Sequence, residues 1–469
     1  MLRRSLICVV SLSFLASAAD KYNVNWTAQQ ADIFEHYSSL IRIDTSSPPG
    51  NETKAAAYLK GVLEKEGIPA QIYELETGRG NVVARLKGNG TKKPILLMGH
   101  LDVVGVQKEK WTVDPFAALR KDGYIYGRGS IDDKDKVTSA LTVMLLMKRM
   151  HVPLDRDVIF LGEAGEEGGA GVGIGFMVNQ HWSEIEAEYS VTEGGAMTAR
   201  NGKVRTVEIA TTEKVGRGVR LVAHGESGHG SRPRLDNPLI HLSEAVAKVS
   251  ENQPPMRLND TTRTYFERLA TISTPEEAYR YNHLTDPAHS EEIQRYFAEH
   301  ELTHYSILRT SVVPTILKAG FRSNVIPSEA EATLDIRALP DEDVEKLHEF
   351  LRKTINDPSV EIVTRAAGPG GRQPGPPSRM DNEMFRAFED TQKLMFPGAI
   401  VLPAMLTGAT DNAQLRSKGV QAHGFGPIVD EEDGGKRGAH TDDERLKEDH
   451  LYKEVEFLWR SVIQVAASK

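Results

Sequence analysis

The chain has 469 residues, of which 39% are hydrophobic and 26% are charged, and its formal net charge at pH 7 is −9. This length can hold two domains with separate cores, and the composition is that of an ordinary globular protein rather than a disordered or fibrous one. The negative balance argues against a nucleic acid or an anionic membrane as the partner.

The N-terminal segment has the features of a secretory signal. Arg3 and Arg4 precede an apolar run over 5–16, and small residues allow cleavage after Ala18. The run is shorter than the ~20 apolar residues that a membrane-spanning helix needs. Cys8 is the single cysteine and lies in this segment. We therefore expect a mature chain without disulfides or a membrane segment, in a secreted, periplasmic or lumenal location.

After this segment, helical and strand-like patterns alternate. Helical periodicity is found over 27–43, 53–66, 133–150 and 172–180. Strand-like apolar runs are found over 71–75, 81–86, 95–98, 158–161 and 189–192. Strands that alternate with helices predict an α/β fold with a mainly parallel sheet covered by helices.

The pattern changes near residue 213 to that of a smaller α+β domain. Strands are predicted over 218–224, over 322–337 as a pair turned at Ile326-Pro-Ser, and over 360–365. Helices are predicted over 237–249 and 341–355. Together they make a split β-α-β arrangement. The polar segment over 251–309 is predicted to be a mostly helical insertion into this domain.

A segment rich in glycine and proline over 368–377 is predicted to be a linker back to the first domain. A helix over 384–394, strands near Ile400 and Ala422, and a terminal helix follow. The core face of that terminal helix is predicted to carry Leu451, Val455, Leu458 and Val462. The predicted organisation is a signal peptide over 1–18, a first domain over 19–212 and 368–469, and an inserted domain over 213–367.

Polar side chains occur at the ends of predicted strands or at the start of the helix that follows. They are His100, Asp132, Glu166 with Glu167, and Glu193. In open α/β sheets this edge binds ligands, so we expect these side chains to lie together. His440, just before the terminal helix, is a further candidate.

Some of these residues could have a structural role instead of binding a metal. His100 and Asp102 are two positions apart, which places both on one side of an extended chain, where the carboxylate can orient the imidazole. On its own, such a pair is more often an ordinary polar contact, and Asp132 could be a helix cap. Glu166 and Glu167 would repel each other unless a cation or a proton lies between them.

Two imidazoles, several carboxylates and no thiol fit Zn²⁺, or Co²⁺ or Mn²⁺, better than Ca²⁺, which prefers oxygen ligands alone. One aspartate shared by two ions about 3.5–4 Å apart would make a co-catalytic pair.

In their order along the chain, these motifs resemble those of the co-catalytic zinc peptidases and deacylases. That family includes glutamate carboxypeptidase, aminoacylase, succinyl-diaminopimelate desuccinylase, carnosinase and carboxypeptidase S. The resemblance covers nearly the whole mature chain. It implies two divalent ions per subunit, most often Zn²⁺, one bound by His100, Asp132 and Glu193 and the other by Asp132, Glu167 and His440.

The resemblance also assigns roles to residues beside the ions. It implies that Asp102 orients His100, and that Glu166 is the general base that takes a proton from the attacking water and returns it to the leaving amine. It further implies a cis peptide bond between Asp132 and Asp133.

In the inserted domain, the resemblance points to residues that contact the substrate. It implies that His229, in Gly228-His-Gly-Ser-Arg-Pro, donates to the oxyanion, and that Asn324 and Arg337 bind the substrate carboxylate. Polar contacts within the domain are the alternative for all three. Gly408-Ala409-Thr-Asp resembles the Gly-Gly-Thr-Asp pocket loop of the family, with Ala409 as a departure.

We therefore expect a secreted di-metal hydrolase that cleaves the amide bond next to a C-terminal amino acid in small peptides. An N-acyl amino acid deacylase is the main alternative. A metal-dependent aminopeptidase and a non-catalytic binding protein of the same fold are further ones. In relatives the inserted lid domain often dimerises, which implies a homodimer, with a monomer that has its own lid as the competing picture.

Overall fold

The computed structural model describes residues 22–168, 171–364, 375–433 and 436–468. The predicted signal peptide over 1–18 and most of the predicted linker over 368–377 lie outside these ranges. Within them, no helix combines the length and the apolar character that crossing a membrane requires.

The strands are, in chain order, β1 (Ser46–Ser47), β2 (Ala70–Glu74), β3 (Gly80–Leu86), β4 (Ile95–His100), β5 (Val103–Val104), β6 (Leu119–Lys121), β7 (Tyr124–Tyr126), β8 (Val158–Glu163), β9 (Tyr189–Thr192), β10 (Met197–Arg200), β11 (Lys203–Glu213), β12 (Val215–Gly216), β13 (Val219–His224), β14 (Gly228–His229), β15 (Ser311–Ala319), β16 (Val325–Ile326), β17 (Glu329–Ala338), β18 (Val360–Thr364), β19 (Ile400–Leu406), β20 (Gln421–Gly424), β21 (Ile428–Asp430) and β22 (Arg445–Lys447).

The α-helices are α1 (Trp26–Arg42), α2 (Glu52–Lys65), α3 (Lys134–Arg149), α4 (Ile174–Gln180), α5 (Trp182–Ile185), α6 (Pro238–Glu251), α7 (Asp260–Ala270), α8 (Pro275–Asn282), α9 (Ser290–His300), α10 (Leu302–Ile307), α11 (Val344–Ile355), α12 (Glu383–Met395), α13 (Asn412–Ser417) and α14 (Glu448–Ala466).

A large sheet forms the centre of the first domain. Its middle strands run parallel in the order β8, β4, β9 and β20. On one side β3 and β2 continue it in antiparallel fashion, and on the other β11 joins antiparallel to β20 and β10. Strands β19 and β21 add parallel pairings to β11 and β10. The predicted α/β fold with a helix-covered sheet is confirmed, with antiparallel strands at the flanks of a parallel centre.

Strand β4 shows why its sequence is apolar without interruption. Ile95 and Leu97 belong to the core under α3 and α14, whereas Leu96 and Met98 belong to the core under α4. Both faces of the strand are therefore buried, which is usual for a parallel strand that has helices on both sides of the sheet.

The terminal helix α14 packs along its whole length. Leu451 and Val455 meet α1 in one cluster, and Leu458 and Val462 join the main core in another. All four side chains are buried, so the predicted core face is confirmed.

The smaller domain is an antiparallel sheet in the order β18, β13, β17, β15, with β12 beside one end of β17. Helices α6 and α11 bury its apolar face. In chain order the elements follow the split β-α-β pattern.

One sequence prediction in this domain is wrong. Strands β16 and β17 were expected to form a pair turned at Ile326-Pro-Ser, but β16 pairs with β14 instead. Strand β17 lies between β13 and β15, and β15 was not predicted from the sequence. Pro314 interrupts the apolar run of β15, and an edge strand tolerates a proline because one side of it needs no ladder hydrogen bonds.

The predicted insertion over 251–309 contains the helices α7 to α10. Their aromatic side chains, among them Phe266, Tyr281 and Phe297, make a core of their own that also takes in Met405 of β19. Arg268 Nη1 donates to the carbonyl of Val401 at 2.9 Å. The insertion therefore packs against the larger domain as well as the smaller one.

Candidate metal centre

The predicted metal ligands converge at one edge of the large sheet. Strand β4 ends at His100, the turn after β8 carries Glu166 and Glu167, and Glu193 directly follows β9. Because these strands are parallel, their carboxyl ends lie side by side. Asp132 reaches the same place from the turn before α3, and His440 from the loop before β22.

Asp132 lies between the two histidines. Its Oδ1 is 2.8 Å from Nε2 of His100, and its Oδ2 is 3.0 Å from Nε2 of His440. The same nitrogen of His440 is 2.8 Å from Oε1 of Glu167. One carboxylate therefore turns a separate oxygen toward each imidazole, which is the arrangement of a ligand shared by two ions.

Glu193 and Glu166 complete the cluster on the His100 side. One ligand atom each from His100, Glu166 and Glu193 lies within 4.8 Å of the others, and the same holds for His100, Asp132 and Glu167. Burial raises the pKa of Glu193 well above its usual range; His100 opposes this, and the neighbouring Glu166 and Asp132 carboxylates add to it. So many acidic groups at one half-buried place fit a site for divalent cations.

Protons on the histidines compensate these carboxylates when no cation is bound. Hydrogen bonds with Asp132 and Glu167 raise the pKa of His440 to about 10. Burial would lower the pKa of His100, but its bonds with Asp102 and Asp132 outweigh burial and raise it well above the usual value. A metal ion that takes these nitrogen atoms must displace the protons.

Asp102 supports the site in two ways. The nearest partner of His100 Nδ1 is the backbone carbonyl of Asp102 at 2.9 Å, with the carboxylate Oδ1 at 3.5 Å. These contacts turn Nε2 of His100 toward Asp132. The carboxylate of Asp102 also accepts from the backbone N–H of Glu166 at 3.0 Å and of Glu167 at 3.1 Å.

The loop that carries His440 is tied to the loop that carries Asp132. Glu444 accepts from the N–H of Ile131 at 2.8 Å and from the guanidinium of Arg128 at 2.5 Å. Asp443 accepts from Thr112 N and Oγ1 at 2.7 and 2.8 Å. The loops that carry Asp132 and His440 are distant in sequence, and these buried carboxylates hold them in register.

The comparisons with known proteins agree with this geometry. The family model described as Peptidase family M20/M25/M40 matches residues 96–464. The chain belongs to this peptidase family. The resemblance to co-catalytic peptidases and deacylases is thereby confirmed, and the chain is an enzyme of the metallopeptidase and amidohydrolase kind.

Individual M20/M25/M40 relatives have different activities in their names. An N-fatty-acyl-amino acid synthase/hydrolase of Xenopus tropicalis is 30% identical over 94% of this chain and 89% of its own. A probable carboxypeptidase S-like protein of Dictyostelium discoideum is 29% identical over 79% of this chain and 71% of its own. Among solved structures, a metallo-carboxypeptidase from Sulfolobus solfataricus has a TM-score of 0.69 at 20% identity and covers 92% of this chain and 99% of its own.

The three residues predicted to contact substrate lie in the smaller domain and outside the ligand cluster. His229 and Asn324 are neighbours, because β14 pairs with β16 and the N–H of Gly230 donates to the carbonyl of Asn324 at 2.9 Å. His229 Nδ1 lies 2.7 Å from the hydroxyl of Ser231. Arg337 Nε donates to Asp335 at 3.0 Å.

Several supporting residues of this M20/M25/M40 site were missed from the sequence. Asp133 accepts from the N–H of His100 at 3.1 Å, and the Asp132–Asp133 bond is cis, as the resemblance implied. Glu163 is fully buried and hydrogen-bonded to Asp411; burial, together with Asp411, raises its pKa well above the usual range. The one signal for Glu163 was a charged residue at the end of an apolar strand.

Proposed function

We propose that the chain is a secreted dinuclear metallohydrolase that releases a C-terminal amino acid from small peptides. The observation that carries the proposal is the position of Asp132, with one oxygen toward His100 and the other toward His440. Secretion is supported by the basic and apolar pattern of residues 1–18.

The proposed cofactors are two divalent ions, Zn²⁺ first and Co²⁺ or Mn²⁺ as replacements. His100, Asp132 and Glu193 would hold one ion, and Asp132, Glu167 and His440 the other. The donor atoms are imidazole nitrogens and carboxylate oxygens, which suit these metals. Bound there, the ions would polarise the scissile carbonyl and make the attacking water more acidic.

The protein itself moves the proton. Glu166 lies beside His100 and Glu193, and its backbone is held by the Asp102 carboxylate. Its carboxylate takes a proton from the attacking water and passes it to the nitrogen of the leaving amino acid. Because Asp102 fixes both Glu166 and His100, the base and the ligand keep one geometry through this transfer.

Arg337 supports a substrate that ends in a carboxylate. Its side chain is 41% exposed and its guanidinium pairs with Asp335, so a substrate carboxylate can add to this pairing. The planar guanidinium suits a bidentate contact with such a group. His229, in the same domain, would donate to the oxyanion that forms at the scissile carbon.

N-acyl amino acid hydrolysis is the second candidate. It is favoured by the identity with the Xenopus N-fatty-acyl-amino acid synthase/hydrolase, which spans most of both chains. A peptide and an N-acyl amino acid both carry an amide bond next to a free carboxylate, so both would use Arg337 in the same way.

A hydrolysis screen on metal-reconstituted protein tests the proposal. The panel holds dipeptides, N-acyl amino acids and the C-terminally amidated form of each. We expect cleavage that requires the free carboxylate and tolerates a blocked amine, and the better class of substrate decides between the two candidates. Cleavage that instead requires a free amine would show an aminopeptidase, and metal binding without any cleavage would show a binding protein.

We also propose that the smaller domain forms a homodimer. In the part of the chain that the structure describes, β15 pairs with β17 alone, so its other edge is open. Val313, Ile316 and Leu317 of this strand and Phe321 after it are exposed. An open, apolar strand edge favours pairing with another chain. Sedimentation of wild type and Leu317→Lys tests this, and a wild-type monomer at micromolar concentration would contradict it.

A further inference from the structure

Two consecutive charged side chains are buried where the chain crosses from the larger to the smaller domain. Strand β11 of the large sheet ends at Glu213, and β12 of the small sheet begins at Val215. Glu213 is 4% exposed and Lys214, between the two sheets, is 0% exposed. Burying a charge is costly unless it is paired or hydrogen-bonded, so the contacts of these two side chains are informative.

Glu213 is anchored in the larger domain. Its carboxylate accepts from the N–H of Thr410 at 2.9 Å and from its hydroxyl at 2.7 Å. It also pairs with the buried guanidinium of Arg416 at 3.1 Å. All three contacts are made by the loop and helix that follow β19, so Glu213 fixes the Gly408–Asp411 loop.

Lys214 is anchored in the other direction. Its ammonium group donates to the carbonyl of Ser306 at 3.0 Å, to the hydroxyl of Ser306 at 3.1 Å and to the hydroxyl of Ser311 at 2.8 Å. These acceptors belong to α10 of the insertion and to the start of β15. Each hydrogen of the ammonium group therefore has an acceptor on the far side of the crossing.

The two anchors lie between the metal centre and the predicted carboxylate-binding residue. On one side, Asp411 is hydrogen-bonded to Glu163, the last residue of β8. On the other side, Gly216 of β12 pairs with Arg337. Burial, with the nearby Arg337 charge, lowers the pKa of Lys214 to about 7, which agrees with a position close to that guanidinium.

We propose that Glu213 and Lys214 form a clamp between the two domains. The clamp sets the position of Arg337 relative to the Gly408–Asp411 loop and to the edge of the large sheet where the predicted metal ligands lie. Neighbouring residues in an extended chain point to opposite sides, so one residue holds each domain. Both act as positioning residues, since neither belongs to the ligand cluster. The inference rests on the proposed function, because alignment matters only if the substrate spans both domains.

A double-mutant cycle tests the clamp at Thr410, which contacts Glu213 in the larger domain, and at Lys214, which contacts the smaller domain. Thr410→Val removes the hydroxyl that Glu213 accepts from, and Lys214→Met removes the ammonium group. We expect each change to lower kcat by about tenfold with little change in KM, because misalignment slows the chemical step. The fold-loss of kcat in the double variant should be at least about threefold smaller than the product of the two single fold-losses. The reason is that both side chains act through one structural unit.

The controls separate positioning from general stability. Thr410→Ser keeps the hydroxyl and should recover most of the kcat lost in Thr410→Val. Lys248→Met removes a lysine that donates to the carbonyl of Ile355 elsewhere in the smaller domain, and should leave kcat unchanged. Losses that multiply in the double variant, or an equal loss in Lys248→Met, would overturn the proposal.

Hydrogen exchange provides a readout that needs no activity. The N–H of Thr410 donates to Glu213, whereas the ammonium group of Lys214 donates to Ser306 and Ser311. Lys214→Met should nevertheless speed exchange over 408–412, because the crossing is released from the insertion. Unchanged exchange there would refute the clamp. If wild type proved inactive on every substrate, the proposed function would fail while this measurement still decided the inference.

Discussion

Glu166 and the proposed metal ligands lie within one cluster, so a change at Glu166 must be tested for metal loss as well as for lost chemistry. Its carboxylate is close to His100 and Glu193, whereas its backbone is fixed by Asp102. Glutamine keeps the shape and one oxygen acceptor but cannot take a proton.

We predict that Glu166→Gln lowers kcat by about 10²- to 10⁴-fold, the range typical of a lost general base. Metal content, measured by elemental analysis, should remain at the wild-type value. Glu299→Gln, at an exposed position of α9, is the matched control and should behave as wild type. Full activity in Glu166→Gln would exclude it as the base.

His423 should make stability depend on pH. It is 0% exposed, its Nε2 lies 3.0 Å from Asn382 Nδ2, and among the described residues its Nδ1 has no hydrogen-bond partner. Burial, with the charge of Arg416, lowers its pKa from 6.5 to about 3. Below pH 6.5 the unfolded chain therefore binds a proton at this residue that the folded chain does not, and stability falls as the pH falls.

At pH 5 this residue should cost about 2 kcal/mol of unfolding free energy relative to pH 7. We predict that His423→Gln removes that much of the pH dependence, measured by urea unfolding of metal-free protein at both pH values. His151→Gln, at an exposed site, should retain it. An equal pH dependence in wild type and His423→Gln would contradict the assignment.

For individual residues, the sequence predicted which acidic and imidazole side chains would meet, because each lies at a strand end or at the start of the following element. It could not predict the groups that hold them. Thr410 and Glu213 are 197 residues apart, and nothing in either segment indicates the other. Such pairs depend on how the elements pack, which periodicity alone does not specify.

The loop from His440 to Glu444 supports the candidate metal centre. Glu444 accepts from the backbone of Gly129 and Ile131 and pairs with Arg128, just before Asp132. It has no ligand atom in the cluster, so its effect on metal binding must pass through the position of its neighbours.

We predict that Glu444→Gln weakens metal binding by about 10- to 100-fold, as is typical when a residue that orients a ligand is changed. The affinity would be measured by competition with a chromophoric chelator. Asp442→Asn changes an exposed carboxylate of the same loop and should have no effect. Unchanged affinity in Glu444→Gln would show that the loop holds its place without this contact.

Elements buried on both faces were the easiest to predict, and short edge strands the hardest. Strand β4 has an apolar run because helices cover both of its faces, and that run is visible in the sequence. Strands β14 and β16 have two residues each, too few to show any alternation. Their pairing depends on a contact between distant segments, which is why the turn at Ile326-Pro-Ser was predicted wrongly.

For the molecule as a whole, metal ions should contribute to stability as well as to activity. The proposed ligands include several half-buried carboxylates that repel one another, so a bound cation stabilises the folded state and not the unfolded one. The α/β architecture itself rests on large apolar clusters that need no metal.

We predict that chelation with EDTA or phenanthroline abolishes hydrolysis and lowers Tm by on the order of 5 °C, with the fold retained by circular dichroism. Addition of Zn²⁺ should restore both. Elemental analysis must first establish that the metal has left. Full activity in protein shown to be metal-free would exclude a metal-dependent reaction.

The position of His440 has a consequence for how the enzyme is made. His100, Asp132 and Glu193 precede the smaller domain in the chain, whereas His440 follows it and is held in place beside β22, which pairs with β7. During synthesis from the N-terminus, the first proposed ligand set is complete long before the second. The proposed paired centre can assemble only after the smaller domain has been translated and the last segment has returned to β7, so we expect a nascent or truncated chain to lack a complete hydrolytic site.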